Sequence, residues 1–190
     1  MNIDSLFLPT SLNVGGKDFE IRTDWRDILR IIFAMNDPDL SNSERARVVL
    51  MVMYKDYKNL PDLNEAIEKA MWFIACGNEE KQSSEQKMMD WEHDLHMIIP
   101  PINRVAGHDV RSPEPCHWWT FISHYNEIGE CHYATIFSIR YKRMKHEKLE
   151  KWEKDLYKKY KDEIDLPVRL TQEELDAIPE WARSVMTYGD

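Results

Sequence analysis

The chain has 190 residues, 43% of them hydrophobic and 11% aromatic, which suits one domain or one domain with an appendage and excludes disorder throughout. Its net charge of −9 argues against a general binder of phosphate backbone, which needs a basic surface. Cys76, Cys116 and Cys131 form an odd, sparse set that favours a reducing intracellular setting, no apolar run approaches the ~18 residues of a membrane span, and MNIDSLFLPTSL lacks the basic start and apolar core of a signal peptide.

In chain order, Leu12 and Val14 precede Gly15-Gly16, and Phe19 and Ile21 follow it. Alternating apolar residues around a Gly-Gly turn predict a short hairpin, which must pack on helices because an isolated hairpin is marginal. Thr23 is the expected N-cap of the next element, with Asp24 in its first turn and Trp25, Ile28, Leu29, Ile32 and Phe33 at helical spacing up to Asn36-Asp37-Pro38. Ser41-x-x-Glu44 is a capping box that opens a second helix, predicted through about Tyr57. Asp62-x-x-Glu65 opens a third, carrying Ala66, Ala70, Phe73 and Ile74 to a stop at Gly77.

The polar run Asn78 to Gln86 reads as a linker. A fourth helix is expected from about Glu85 towards Ile99. Pro100-Pro101 should kink or break it by removing two amide donors, with a short turn continuing to Ala106 before Gly107. Ser112 with Pro113 is the expected start of the next helix. The stretch Cys116 to Arg140 then predicts a helical hairpin at the heart of the core. Trp118, Trp119, Phe121, Ile122, Tyr125 and Ile128 sit mostly three or four apart, the spacing of one helical face, Gly129 breaks the helix, and Ile136, Phe137 and Ile139 resume. Adjacent helical positions lie ~100° apart, so one of Trp118 and Trp119 belongs in the core and the other touches a neighbouring helix or a partner. Lys142 to Glu163 predicts one amphipathic helix with a narrow stripe of Leu149, Trp152, Leu156 and Tyr160, supported by i,i+4 pairs of Glu147 with Lys151 and Glu150 with Lys154. Thr171-x-x-Glu174 opens a short terminal helix with Leu175, Ile178 and Trp181, which Pro179 divides.

The expected fold is therefore mainly α, a compact multi-helix domain with a short N-terminal β-hairpin and an amphipathic C-terminal helix. Residues 1–77 form a hairpin plus three-helix subdomain, 78–86 a linker, 87–166 a central helical subdomain, and 167–190 a short helical tail.

The residues raise three chemistries. His93 with His96, and Cys116-His117 with Cys131-His132, are of the types that zinc takes, yet no CxxC or HxxxH is present and each adjacent Cys-His pair diverges on a helix. Buried small cysteines beside partly exposed histidines are the simpler reading, and no metal or other cofactor is expected. Asp90, Glu92 and Asp94 beside His93 and His96 would suit acid–base work only if they converged in a cleft; acids at a helix start more simply complement its dipole. No nucleophile elbow, Walker loop or dinucleotide fingerprint occurs, so no catalytic residue is assigned and the chain is not read as an enzyme. The basic run Arg140 to Lys148 carries the Arg, Lys and Tyr that nucleic acid would use, but interleaved acids favour a solvated helix face. Its narrow apolar stripe suits docking on a partner groove or helix.

The stretches DWEHDLHMIIPPINRVAGHDV (Asp90 to Val110) and HWWTFISHYNEIGECHYATIFSIR (His117 to Arg140), with the charged continuation KRMKHEKLEKWEKDLYKKYKD, resemble the bacteriophage gene-product-fifteen family. The segment VGGKDFEIRTDWR and the helix ending at Gly77 are similar to it more loosely. The resemblance extends to about Leu166 and leaves the tail from Val168 unaccounted for. It implies a role in siphophage and prophage tail morphogenesis, from genes upstream of the tape-measure gene where tail assembly chaperones are encoded. By that analogy the chain would bind tape-measure protein transiently in the bacterial host cytoplasm, help recruit major tail protein, and be absent from the mature virion. A homo-oligomer is compatible with this role; no membrane, nucleic-acid or small-molecule partner is expected. The partner-binding candidates are Trp118, Trp119, Tyr125, Trp152, Leu156 and Tyr160, with Met51, Met53, Met71, Met88, Met89 and Met97 as adaptable apolar contacts. The alternatives are a structural tail or head-tail connector subunit retained in the virion, and a small metal- or nucleic-acid-binding regulator.

Overall fold

A computed structural model describes residues 7–78 and 88–177. The segment expected as a linker, apart from Asn78, the predicted helix start near Glu85, and Ile178, Pro179 and Trp181 lie outside the described residues. The fold is mainly α-helical with a short N-terminal two-stranded hairpin.

Strands β1 (Ser11–Val14) and β2 (Lys17–Glu20) pair antiparallel, Leu12 opposite Phe19 and Val14 opposite Lys17. Gly15 and Gly16 both have positive φ, 59° and 78°, as a two-residue turn of this hand requires. Leu12, Val14 and Phe19 face inward. Helix α1 (Trp25–Asn36) begins one residue later than expected, because Asp24 and not Thr23 is the N-cap. The Asp24 carboxylate accepts from the amides of Arg26 and Cys116 at 2.9 and 3.1 Å and from the Arg26 guanidinium. Burial works against its ionised form, but these donors outweigh it and hold the carboxyl below its ordinary range.

Helix α2 (Asn42–Met53) opens on the Ser41/Glu44 capping box and stops four residues before the expected Tyr57. Tyr54 turns extended and bridges Ile21. The Arg22 amide donates to Met53 O, the Arg22 guanidinium donates to the carbonyls of Met51, Val52 and Tyr54, and the buried Tyr54 hydroxyl donates to Ala66 O at 2.7 Å. The Arg22 contacts complete orphan carbonyls at the end of α2, which no helical periodicity encodes, and the Tyr54 hydroxyl ties that end to α3. After a 3-10 turn at Tyr57–Asn59, α3 (Leu63–Ile74) starts at Asp62, which accepts from the Asn64 and Glu65 amides. Glu65 does not reach back to its cap; its Oε2 accepts from the Gly15 amide at 2.8 Å and ties the hairpin turn to the helix.

Helix α4 (Trp91–Ala106) runs through Pro100 and Pro101, contrary to the expected break. An interior proline costs about 3 kcal/mol. Ile98, Ile99 and Ile102 are buried around this turn, and each contributes about 1.5–3 kcal/mol, enough to offset two prolines. Asp90 is the N-cap, and Gly107 ends the helix in the left-handed region. Helix α5 (Trp118–Asn126) starts at His117 rather than at Ser112-Pro113. The His117 backbone first bridges Asp24, and Trp118 N donates to Thr23 O at 2.7 Å, so strand-like pairing holds the chain extended up to that point.

Helix α6 (His132–Met144) carries the start of the charged stretch, and the expected single helix through Glu163 is divided. His146 sits at φ 55° and Glu147 N donates to Lys142 O at 2.8 Å, a C-terminal stop built without glycine. The chain then forms α7 (Lys151–Lys159) and α8 (Lys161–Ile164). The expected Glu147–Lys151 and Glu150–Lys154 pairs are replaced: Glu147 lies before the helix, Glu150 N donates to Glu153, and Glu153 accepts from Lys142 Nζ at 2.6 Å across the turn. Helix α9 (Gln172–Ala177) opens on the Thr171/Glu174 capping box.

One buried cluster draws side chains from both flanks of the 78–86 segment. Trp25 of α1 stacks on Phe121 of α5 at 4.6 Å with an interplanar angle of 2°, and Trp118 and Trp91 pack around the same ring. Helices α5 and α6 both pack on α4. Below them Arg140 of α6 binds both oxygens of Asp94 of α4 at 2.7 Å, while its remaining N–H groups donate to the carbonyls of Met88, Glu163 and Ile164.

Candidate partner-binding surface

The His117-Trp118-Trp119 run closes the C-terminal end of α3. Trp118, 2% exposed, donates its indole N–H to Ile74 O at 2.8 Å, and the half-buried Trp119 donates to Phe73 O at 2.8 Å. The Trp118 indole thus serves a terminal carbonyl of α3, and the Trp119 indole joins the Cys76 amide on Phe73 O. His117 Nδ1 accepts from the Trp119 amide at 3.1 Å, which places the ring proton on Nε2, where it is donated to Pro9 O at 3.0 Å. Gly77 stands at φ 78° beside this cap, and a Cβ there would lie 3.3 Å from the Trp119 ring.

The tryptophans therefore divide as their angular separation requires. Trp118 is core. Trp119 lies in the outer layer, edge-on to Trp72 at 5.6 Å. Trp72 is 41% exposed and was not among the expected binding residues. Beyond it opens a groove of about 800 Å³ lined by Phe7, Leu8, Pro9, Leu12, Glu68 and Trp72. Phe7 and Leu8 are exposed there, and the His117–Pro9 hydrogen bond anchors this edge to the α5 cap. The signal for Trp72 was its position off the Ala66–Ala70–Phe73 stripe, which points a large aromatic away from the core.

The other expected contact residues lie elsewhere. Tyr125 is half-buried, with its hydroxyl 3.1 Å from that of Tyr133 and 3.2 Å from Met89 Sδ; burial raises the pKa of both phenols. Trp152 projects from α7 at 58% exposure, while Leu156 and Tyr160 are half-buried against the core and the Tyr160 ring meets His132 edge-on at 5.0 Å. The structure does not bring the Trp118–Tyr125 group and the α7 group into one element. Of the methionines, Met53 and Met97 are buried, Met51 is exposed, and Met71, Met88 and Met89 are intermediate.

The cysteines and histidines each have local roles. Cys76 has a thiol pushed up to about 11 by burial; the Cys116 thiol is raised chiefly by burial as well. Cys131 is the N-cap of α6 and accepts from the Ala134 amide. His132 pairs with Glu163, His93 Nε2 meets Glu163 O, and His96 Nδ1 meets His93 O. Among the described residues no three His, Cys, Asp or Glu side chains gather as a metal would need. Asp90 and Glu92 pair with Arg169, while Asp94 pairs with Arg140, so the acids at the start of α4 do not converge on a cleft. No helix among the described residues is long and apolar enough to cross a membrane.

Against known proteins, the family model described as Bacteriophage Gp15 protein matches residues 4–166. Searches of the curated proteins and of the solved structures find no match.

Proposed function

This chain belongs to the bacteriophage Gp15 family, and from that premise we propose that it is a tail assembly chaperone that binds tape-measure protein transiently and helps recruit major tail protein. It acts by binding and catalyses no reaction. It works in the host cytoplasm and leaves before the virion is complete.

The observation that carries this reading is the apolar groove beside the Trp72–Trp119 pair. Phe7, Leu8 and Trp72 present large apolar surface beside Glu68 and Lys69 of α3. An amphipathic tape-measure helix, which aggregates when its apolar row is exposed, can lay that row in such a groove. The excess negative charge of the chain keeps the complex soluble. Release follows when major tail protein covers the same row.

Co-expression with the cognate tape-measure protein tests the proposal. A soluble, co-purifying complex that is lost with Trp72→Ala plus Leu8→Ser is the expected result. A tape-measure protein that stays insoluble, with nothing captured, would sink it. Mass spectrometry of purified virions that finds this chain in the particle would favour a retained tail or connector subunit instead.

A further inference from the structure

We propose that the outer face of α7 docks a short acidic, amphipathic helical segment of another protein. This surface is separate from the Phe7–Trp72 groove, and the inference does not rest on the tape-measure reading.

Residues 140–161 hold ten Lys and Arg residues against four acids, a surplus of six in a chain of net −9, so the remainder carries −15. Arg140, Lys142 and Arg143 are engaged in pairs with Asp94, Glu153 and Asp165. Of the seven lysines left, Lys145, Lys148, Lys151, Lys154, Lys158 and Lys159 are exposed, and among the described residues none of these six is in an ion pair. Three exposed acids, Glu147, Glu150 and Asp155, lie among them. In their midst Trp152 is 58% exposed, one turn before the half-buried Leu156. A large exposed aromatic on a helix whose Lys151, Lys154 and Lys158 are outside ion pairs has the anatomy of an interface anchor with a charged rim.

The same face also meets the chemistry of nucleic acid, and range decides between the two. Nine helical residues span about 13 Å, and exposed charges act over about 8 Å at physiological salt. An acidic segment of matching length feels the lysines alone. A longer polyanion runs past them into the surroundings that carry −15, and is repelled. Glu147, Glu150 and Asp155 further disfavour a continuous phosphate track. An apolar residue on the acidic segment is required to cover Trp152.

The test is fluorescence anisotropy of a labelled peptide of Glu, Ala and Leu, leucines four apart and about three turns long, titrated with the full chain. Binding is expected to weaken about tenfold between about 50 and about 300 mM NaCl and to weaken about tenfold with Trp152→Ala. The K151E/K158E variant should lose the acidic peptide and gain its Lys-for-Glu counterpart. That exchange is independent of any general loss of structure. Lack of peptide binding, indifference to K151E/K158E, or tighter binding of an oligothymidylate of equal charge would each overturn the proposal.

Discussion

Arg140 and Asp94 form a buried, two-pronged ion pair, with side chains 5% and 0% exposed and both Asp94 oxygens engaged at 2.7 Å. The remaining guanidinium N–H groups are taken up by the carbonyls of Met88, Glu163 and Ile164. Removing one partner strands the other in a medium of low dielectric. Asp94→Ala should lower unfolding free energy by about 3–5 kcal/mol in a urea titration, and Arg140→Met by a similar amount. The double variant Asp94→Leu/Arg140→Met should be more stable than either single one; a strictly additive loss would show that the two side chains act independently.

His117 serves two neighbours with one neutral ring. His117→Ala removes the cap of α5 and the bond to Pro9 O, and should cost about 1–2 kcal/mol. His117→Asn, which retains an acceptor for the Trp119 amide, should recover part of that loss. Equal stability of the two variants in thermal melts would discount the capping role.

Gly15 and Gly16 share a positive φ but differ in surroundings. A Cβ at Gly15 would lie 2.7 Å from Pro61 Cγ, whereas nothing stands within 4 Å of one at Gly16. Both Ala variants carry the left-handed penalty of about 1–2 kcal/mol, and Gly15→Ala adds a clash. Denaturant midpoints should therefore fall further for Gly15→Ala, and Gly16→Asn should be close to neutral.

The hydrogen bond from Lys142 Nζ holds the Glu153 carboxyl below its ordinary 4.5, against the opposing effect of burial. Because the folded carboxyl is the stronger acid, the pair stabilises the fold above the unfolded pKa and that contribution disappears as pH falls through the lower folded value. Wild type should lose more stability than Glu153→Gln between pH 5 and the acid transition. Parallel pH profiles for the two proteins would refute this linkage.

Elements specified by neighbours in sequence were legible. The Gly-Gly hairpin, the Ser41/Glu44 and Thr171/Glu174 boxes, and the stop at Gly77 each rest on contacts within a few residues. Features settled by distant partners were not. The second helix ends where Tyr54 pairs with Ile21, and α5 waits for the bridge between His117 and Asp24. His146 ends α6 although histidine carries no stop signal in sequence. At the candidate surface, the division of Trp118 from Trp119 followed from angular spacing alone. That both indoles donate to carbonyls of α3 did not, since Ile74 and Phe73 lie more than forty positions away. Arg140 read as part of a basic run because nothing local distinguishes a buried arginine from the exposed lysines beyond it.

The stacking of Trp25 on Phe121 also sets a timetable for synthesis. The two rings are ninety-six positions apart, and at roughly 5–20 residues per second the ribosome needs about 5–20 s to make the second after the first. During that interval Trp25 has no stacking partner, and Phe73 and Ile74 lack the indoles that take their carbonyls. The emerging first half lacks these native contacts until α5 arrives, so slowing translation between these positions should raise its losses to aggregation and proteolysis.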